Sequence, residues 1–486
     1  MDYPLLLQLY AEKHAVKAWP RQRLLHECLR DAIRSGTLAA GTRLHATRAL
    51  AQELGVARNT VLYAYDQLAT EGFIRPDRRG TVVAPFRAAH IDVRVQAPPA
   101  AALSRRAAAL HGMRAPELHT GGFAPGVPSL DEFPLVLWRR LLDRAARDAG
   151  AAGLGYGDPA GEPALRAAIA AHLRAARGAD CDADQIFITG GTQSSLDLCA
   201  RAFADAGDKV WIENPGYSGA LAAFKGAQLK PIGIPTDSEG INPSRADWRR
   251  QRPRLIYTTP SHQYPTGSVL SLERRLALIA HARAAGALVI EDDYDSEFRH
   301  DGPPLPAMQG LEADSPVVYL GTFSKTMFPS LRIGFILVPR ALTEPVRALL
   351  ARSSHAGRNA EQLALARFLH DGQFALHLRR MRRLYRQRRD ALVAALERHL
   401  GELGSVHGGS AGMHLAFRLH DERLDDKALS ALAQLAGIVA PALSAHAIGA
   451  RSNGWNGFLL GYAQVPVQQM ETLVQALGAC CDVRVK

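Results

Sequence analysis

Lysine is scarce in this chain, 8 of the 58 Lys and Arg residues, and one lysine stands where chemistry is to be expected. Lys325 ends Gly321-Thr322-Phe323-Ser324-Lys325, just past the apolar run Val317–Leu320. A lysine amine loses its proton when desolvated and condenses with a carbonyl to a Schiff base, which arginine cannot do. Seven residues on, Arg332 offers a forked donor for phosphate. Upstream, Thr189-Gly190-Gly191-Thr192-Gln193 joins an apolar run to a helical pattern. Its glycines admit close backbone approach, and free N–H groups at a helix start suit a phosphate. Glu213-Asn214-Pro215-Gly216-Tyr217 sets an aromatic at the end of another run, where it can stack on a flat ring. Glu291-Asp292-Asp293-Tyr294 ends a third run. An aspartate facing a pyridine nitrogen keeps it protonated, and a tyrosine hydroxyl bonds a phenolic oxygen.

Each feature alone has an ordinary reading. Glycine turns are common, tyrosines fill cores, a lysine can be structural, and an acidic strand end can be solvated or hold magnesium. Together a phosphate cradle, a stacking aromatic, an acid for a ring nitrogen and a Schiff-base lysine describe pyridoxal 5'-phosphate.

These residues need a scaffold that brings the ends of several runs together. The runs Gln185–Ile188, Val210–Glu213, Leu255–Tyr257, Leu288–Glu291, Val317–Leu320 and Ile333–Val338 alternate with helical patterns such as Leu196–Phe203 and Leu272–Ala285. That alternation predicts an α/β domain on a mostly parallel sheet, spanning residues 117–486. Residues 85–116 are rich in Ala, Pro and Arg and read as a linker, although Leu103–Leu110 fits a short helix.

Residues 1–84 have a different texture. The net charge of +11 is uneven: residues 1–115 hold 17 Lys and Arg against 9 Asp and Glu, net +8. A basic module on a near-neutral body points to a polyanion partner or to a solvated basic face. Leu24, Leu25, Cys28, Leu29, Ala32 and Ile33 form a helical stripe stopped at Ser35-Gly36. A helix from Thr47 to Leu54, a Gly55-Val56 turn and a helix from Ala57 to about Thr70 make a helix-turn-helix pattern. The second helix then offers Arg58, Asn59 and Thr60 to base edges, and Arg48 suits a phosphate. Two short strands around Arg78-Arg79-Gly80-Thr81 read as a wing. The plain alternative is a small helical domain with its polar residues facing water.

The stretch "GTLAAGTRLHATRALAQELGVARNTVLYAYDQLATEGFI" resembles the winged-helix domain of the GntR superfamily. It departs at His45, where Pro is usual, and in the arginine-rich wing. "PGVPSLDEFP", "YGDPAGEPALR", "TPSHQYPTG", "EDDYDSEFR", "SKTMFPSLRIGF" and "FLLGYA" resemble fold-type I aminotransferases, and more closely the MocR group of GntR regulators. The resemblance implies an α/β fold-type I domain with a smaller C-terminal α+β subdomain, and a homodimer. It implies a Schiff base at Lys325, with Asp292 on the ring nitrogen and Tyr294 near the phenolic oxygen. Tyr217 would lie over the ring, Thr192, Gln193 and Arg332 around the phosphate, and His262 close by. The function implied is a transcriptional regulator that binds an operator in double-stranded DNA and senses the cofactor, an amine or an amino acid. The alternative is an aminotransferase with an appended DNA-binding domain. Against turnover stand Tyr264, where aminotransferases usually have Asn, and Leu459, where they carry an Arg for the substrate carboxylate. Arg451 is a candidate substitute for that Arg. Gly219 stands where some amine-sensing relatives have an Arg.

Composition excludes several classes. With 47% hydrophobic and 22% charged residues, the 486-residue chain is neither disordered nor collagen-like. No run is long enough to cross a bilayer, and Met1–Tyr10 lacks the basic start of a secretory signal. Five cysteines without zinc or redox spacing assign no metal, and the expected location is the cytoplasm. Eight arginines between residues 376 and 400 fit either a solvated helix face or a second DNA contact.

Overall fold

A computed structural model describes residues 1–14, 19–85, 103–111, 113, 120–353, 357–448 and 454–482. The chain divides into two compact units, Met1–Ala102 and Leu103–Lys486.

The first unit has helices α1 (Tyr3–Lys13), α2 (Arg21–Arg34), α3 (Thr47–Glu53) and α4 (Arg58–Thr70), followed by the antiparallel strands β1 (Ile74–Asp77) and β2 (Gly80–Val83). The predicted stripe buries Leu25, Cys28, Leu29, Ala32 and Ile33, and Val61, Ala64 and Leu68 of α4 complete the core. Gly55 takes φ +59° in the turn between α3 and α4, a backbone that glycine adopts without strain. His45 is held on three sides: its Nδ1 lies 2.8 Å from Glu53, its carbonyl accepts from Tyr65 at 2.8 Å, and Tyr3 packs edge-on against its ring. Tyr3 comes from α1, a helix the sequence reading does not anticipate. Asp2 caps it by accepting from the Leu5 N–H at 3.0 Å, and Pro4 stands in its first turn. Arg43 braces the wing, donating to the Arg79 carbonyl at 2.6 Å and pairing with Asp77 at 3.3 Å.

The second unit is built on an eight-stranded sheet of β3 (Ile186–Thr189), β4 (Lys209–Asn214), β5 (Lys230–Asp237), β6 (Gly240–Ile241), β7 (Leu255–Thr258), β8 (Leu288–Asp293), β9 (Val317–Thr322) and β10 (Gly334–Leu337). The spatial order is β3-β10-β9-β8-β7-β4-β5-β6. Pairs β9/β8, β8/β7, β7/β4 and β4/β5 are parallel, whereas β10 runs antiparallel to both neighbours. Ile212, Ile256, Ile290, Val318 and Leu320 are fully buried, as expected of parallel strands covered on both faces. A three-stranded antiparallel sheet follows: β11 (Gly404–His407), β12 (His414–Leu419) and β13 (Gly457–Gly461). The helix Arg105–His111, from the stretch read as linker, packs on the helix Ser218–Gly226 within this unit.

The arginine-rich helix is Gln373–Leu400. Arg382 and Arg386 donate to the carbonyls of Glu297 and His300. Arg388 donates to the Ala463 carbonyl and to Ser129 Oγ, and Arg389 to the Gly409 carbonyl at 2.7 Å. Arg380 pairs with Glu132 and Arg398 with Glu471. Most of this charge therefore ties the helix to the chain around it.

A second buried tie lies under the sheet. Arg177 and Asp293, both buried, pair at 2.6 Å; Tyr319 Oη donates to Asp293 at 2.6 Å, and Arg177 also donates to Ser261 Oγ at 2.9 Å. Removing one partner leaves a buried charge uncompensated. Arg177→Met should lower stability to urea by about 3–5 kcal/mol, and adding Asp293→Asn should recover part of the loss. A loss of less than ~1 kcal/mol contradicts the assignment.

Candidate functional site

The sequence-predicted residues lie at the carboxyl ends of parallel strands, where open α/β sheets bind ligands. A cavity of about 510 Å³ opens there, with Thr192, Gln193, Tyr217, Asp292, Tyr294 and Lys325 on its wall. Arg332 and His262 are not on the cavity wall, and each stands one layer out.

Gly191, φ +94°, precedes the helix Thr192–Phe203, which starts without a side-chain cap. A Cβ at Gly191 would stand 3.5 Å from the Arg332 guanidinium, an ordinary contact, so the left-handed backbone rather than crowding is what favours glycine there. Arg332 itself sits at φ +48°, a left-handed conformation uncommon outside glycine. Uncapped N–H groups beside a guanidinium suit a phosphate. Gln193 Nε2 donates to the Gly219 carbonyl at 3.1 Å, closing the turn against the segment after β4.

On β8 the alternation of side chains separates the two acids. Asp293 turns to Arg177, whereas Asp292 turns to the cavity. Tyr257 on the neighbouring β7 donates to Asp292 Oδ2 at 2.7 Å, and the other oxygen, Oδ1, is buried without a partner. Burial raises the Asp292 carboxyl to about 7, against the Tyr257 hydrogen bond, which lowers it. A buried carboxyl on a cavity wall, with one oxygen bonded and the other without a partner, is a seat for an N–H donor.

Lys325, past the end of β9, donates to the Gly126 carbonyl at 2.7 Å. Gly126 takes φ +71°, and a Cβ there would come within 2.8 Å of the amine. Tyr217 and Tyr264 meet edge to face at 5.5 Å. Tyr294 donates its hydroxyl to the His262 carbonyl at 2.9 Å, and His262 Nδ1 donates to Asp295 at 3.0 Å. Met413 N–H also donates to Asp295. His262 thus supports Tyr294 from behind.

Beneath the turn Thr258–Tyr264, Glu213 accepts from Thr258 Oγ1 at 2.6 Å, Thr259 Oγ1 at 2.7 Å and Gln263 at 3.3 Å. Burial raises the Glu213 carboxyl while those donors lower it. Among the described residues one group of potential metal ligands comes together, His262, Asp295 and His414, with one atom of each within 4.8 Å of the others. Asp295 is already committed to His262 and to Met413, so the group acts here as a hydrogen-bonded support.

The donor set fits pyridoxal phosphate: an amine, a carboxyl with an unused oxygen, an aromatic wall and a phosphate cradle share one cavity. Sequence reading misses Tyr257, Thr259, Gly126 and His414. Gly126 lies in the quoted "PGVP" stretch, and Tyr257 sits directly before Thr258-Thr259 at a strand end, so both carried a signal. Leu459 is fully buried in an apolar cluster with Ala416 and Leu443. Arg451, the candidate carboxylate ligand, lies outside the described residues.

In the first unit Arg48, Arg58, Asn59, Arg78 and Arg79 are exposed and Thr60 is half-buried. Arg58 Nε reaches Thr47 Oγ1 at 3.5 Å, linking the starts of α3 and α4.

The raised Asp292 carboxyl has a thermodynamic consequence. The folded protein binds this proton more tightly than the unfolded chain. Its contribution to stability therefore falls as pH rises from near 4 to about 7, by up to roughly 1.4 kcal/mol per pH unit. In cofactor-free protein Asp292→Asn should flatten the stability profile over that window; superimposable urea-melt profiles contradict it.

Comparison with known proteins agrees with this geometry. Residues 126–477 match the family described as aminotransferase class I and II, and residues 22–83 match bacterial regulatory proteins of the gntR family. The chain is 40% identical over 476 residues to the "Probable rhizopine catabolism regulatory protein MocR" of Rhizobium meliloti, covering 94% of this chain and 93% of that protein. It is 33% identical to the pyridoxine biosynthesis transcriptional regulator PdxR of Corynebacterium glutamicum, covering 81% and 82%. In structure it is similar to a kynurenine aminotransferase of Pyrococcus horikoshii in complex with PMP, with a TM-score of 0.70 and 26% identity over 79% of this chain and 98% of that one. With both families matched in this order and the first relative aligned along nearly its whole length, the chain belongs to the MocR-type regulators of the gntR family, which carry an aminotransferase class I and II domain.

Proposed function

We propose that the protein is a transcriptional regulator that binds operator DNA through residues 1–84 and senses small amines through the pyridoxal-phosphate site of residues 117–486. The observation that carries this reading is Lys325 sharing a cavity wall with Asp292, whose Oδ1 is buried without a partner, in a chain whose exposed Arg58 and Asn59 open the second helix of a helix-turn-helix. When bound, the cofactor supplies an aldehyde that exchanges between primary amines. Lys325 is the resident amine, and Asp292 holds the proton of the ring nitrogen. Tyr294, kept protonated by burial, borders the ring oxygen with His262 behind it. Tyr217 covers the ring, and Thr192, Gln193 and Arg332 hold the phosphate. An amine that favours one arrangement of the site shifts the population of DNA-binding states only by its differential affinity for them.

In DNA, Arg58 and Asn59 read base edges with Thr60 beside them, while Arg48 and the wing residues Arg78 and Arg79 contact the backbone. α4 begins behind Ala57 without a side-chain cap, leaving its first N–H groups for a phosphate. Exposed Leu154 and Tyr156, at 89% and 84% of their free area, favour a homodimer that covers them. No helix among the described residues is long and apolar enough to cross a membrane, and the reading assigns a cytoplasmic regulator. The complete cofactor set favours aminotransferase turnover as a second reading. Leu459, an aliphatic side chain buried in an apolar cluster at the position where aminotransferases carry the arginine for the substrate carboxylate, weighs against it.

Lys325→Ala should abolish the visible absorption of bound cofactor and the borohydride-fixed adduct in peptide mass spectra; a borohydride-fixed adduct on another lysine contradicts the site. Arg58→Ala should weaken operator binding about 10- to 100-fold and relax discrimination at one base pair. Arg79→Ala should weaken all sequences alike and lower the salt slope by about one. Equal effects on specific and random DNA in both variants would remove the base-reading role.

A further inference from the structure

The charges around the cavity restrict what can exchange with Lys325. Among the described residues of its wall, Lys325 is the one lysine or arginine, set against Asp292 and Asp295. His414 adds no cation, because burial and the neighbouring His262 and His446 push its pKa well below the usual value.

Two stretches of wall are closed to a guanidinium. At Gly219 a Cβ would come within 2.4 Å of the Tyr217 ring, so the ring occupies the space a longer side chain would need. Tyr264, also on the wall, packs on the apolar cluster of Ala416, Leu443 and Leu459, which is fully buried. A carboxylate entering beside the exchanging amine would lose its water between two acids, with neither guanidinium nor ammonium left to pair with it among the described wall residues. Lys325 cannot serve, because it is the group being displaced.

We infer that the molecule sensed here is a primary amine with no carboxylate on the amine-bearing carbon, its tail lying along the apolar and phenolic wall of Met113, Tyr264 and Met413. This rests on the reading of Lys325 as the amine-exchanging residue.

The test titrates cofactor-loaded, full-length protein with three matched pairs that differ by one carboxylate. They are 2-phenylethylamine and L-phenylalanine, 3-methylbutylamine and L-leucine, and ethanolamine and L-serine. Binding is read from the absorption of the bound cofactor, with no turnover involved. At least one amine should bind at least about tenfold more tightly than its amino acid, and no amino acid should match its amine. An amino acid that equals or outdoes its amine overturns the inference, as does a spectrum unmoved by all three amines. An amino-acid preference that Arg451→Ala abolishes would overturn it too, and would make Arg451 the carboxylate's partner. Protein that shows no cofactor band before titration, or a Lys325→Ala variant that responds like the parent, fails the underlying site reading instead, and the inference falls with it.

Discussion

A carboxyl buried at the end of a parallel strand is the constraint on which the rest of the large unit depends. Asp292 lies at the carboxyl end of β8, with covered strands on both sides, and taking its charge out of water is costly. Tyr257 satisfies one oxygen, and the other is left buried without a partner. Such a group is stable either protonated or against a cation. A protonated ring nitrogen at that strand end would answer that demand, and Asp292 would then link binding to folding.

The remaining groups lie at distances set by the sheet. β7, β8 and β9 are adjacent and parallel, with Tyr257 level with Ile290 and Asp292 level with Leu320. The residues just past their ends, His262, Tyr294 and Lys325, converge as a result. Supporting bonds then fix rotamers. Glu213 holds the turn that carries His262, Asp295 holds His262 itself, and the Gly126 carbonyl holds Lys325. Supports of this kind keep a site in its productive geometry without touching the ligand.

The sequence discloses the parts that obey local rules. β4 and β9 read as strands because strands buried on both faces are continuous apolar runs. Lys325 stands out because its neighbours in charge are nearly all arginine. β5 stays hidden because Pro231 and Pro235 interrupt its run, yet it pairs on one side only with the two-residue β6 near the edge of the sheet, where proline is tolerated. Alternation says that Asp292 and Asp293 face opposite ways. Which one faces the cavity depends on Arg177, over a hundred residues away, and no local pattern announces that contact. The partner of Asp292, Tyr257, is likewise set by register between strands. The arginines of Gln373–Leu400 read in sequence as a solvated face or a second DNA contact, because their carbonyl acceptors at Glu297, His300, Gly409 and Ala463 are distant along the chain.

Joining this site to a helix-turn-helix makes sense only if the state of one alters the other. Cofactor binding and DNA binding are then linked, and by reciprocity the linkage acts in both directions. The most direct measurement compares the affinity of cofactor-loaded and cofactor-stripped protein for the DNA upstream of its own gene, against random DNA, at two salt concentrations. A linked regulator binds site-selectively, with an affinity that differs between the loaded and stripped protein at both salts. Equal affinities for the two forms, sequence-indifferent and falling only with salt, would contradict it.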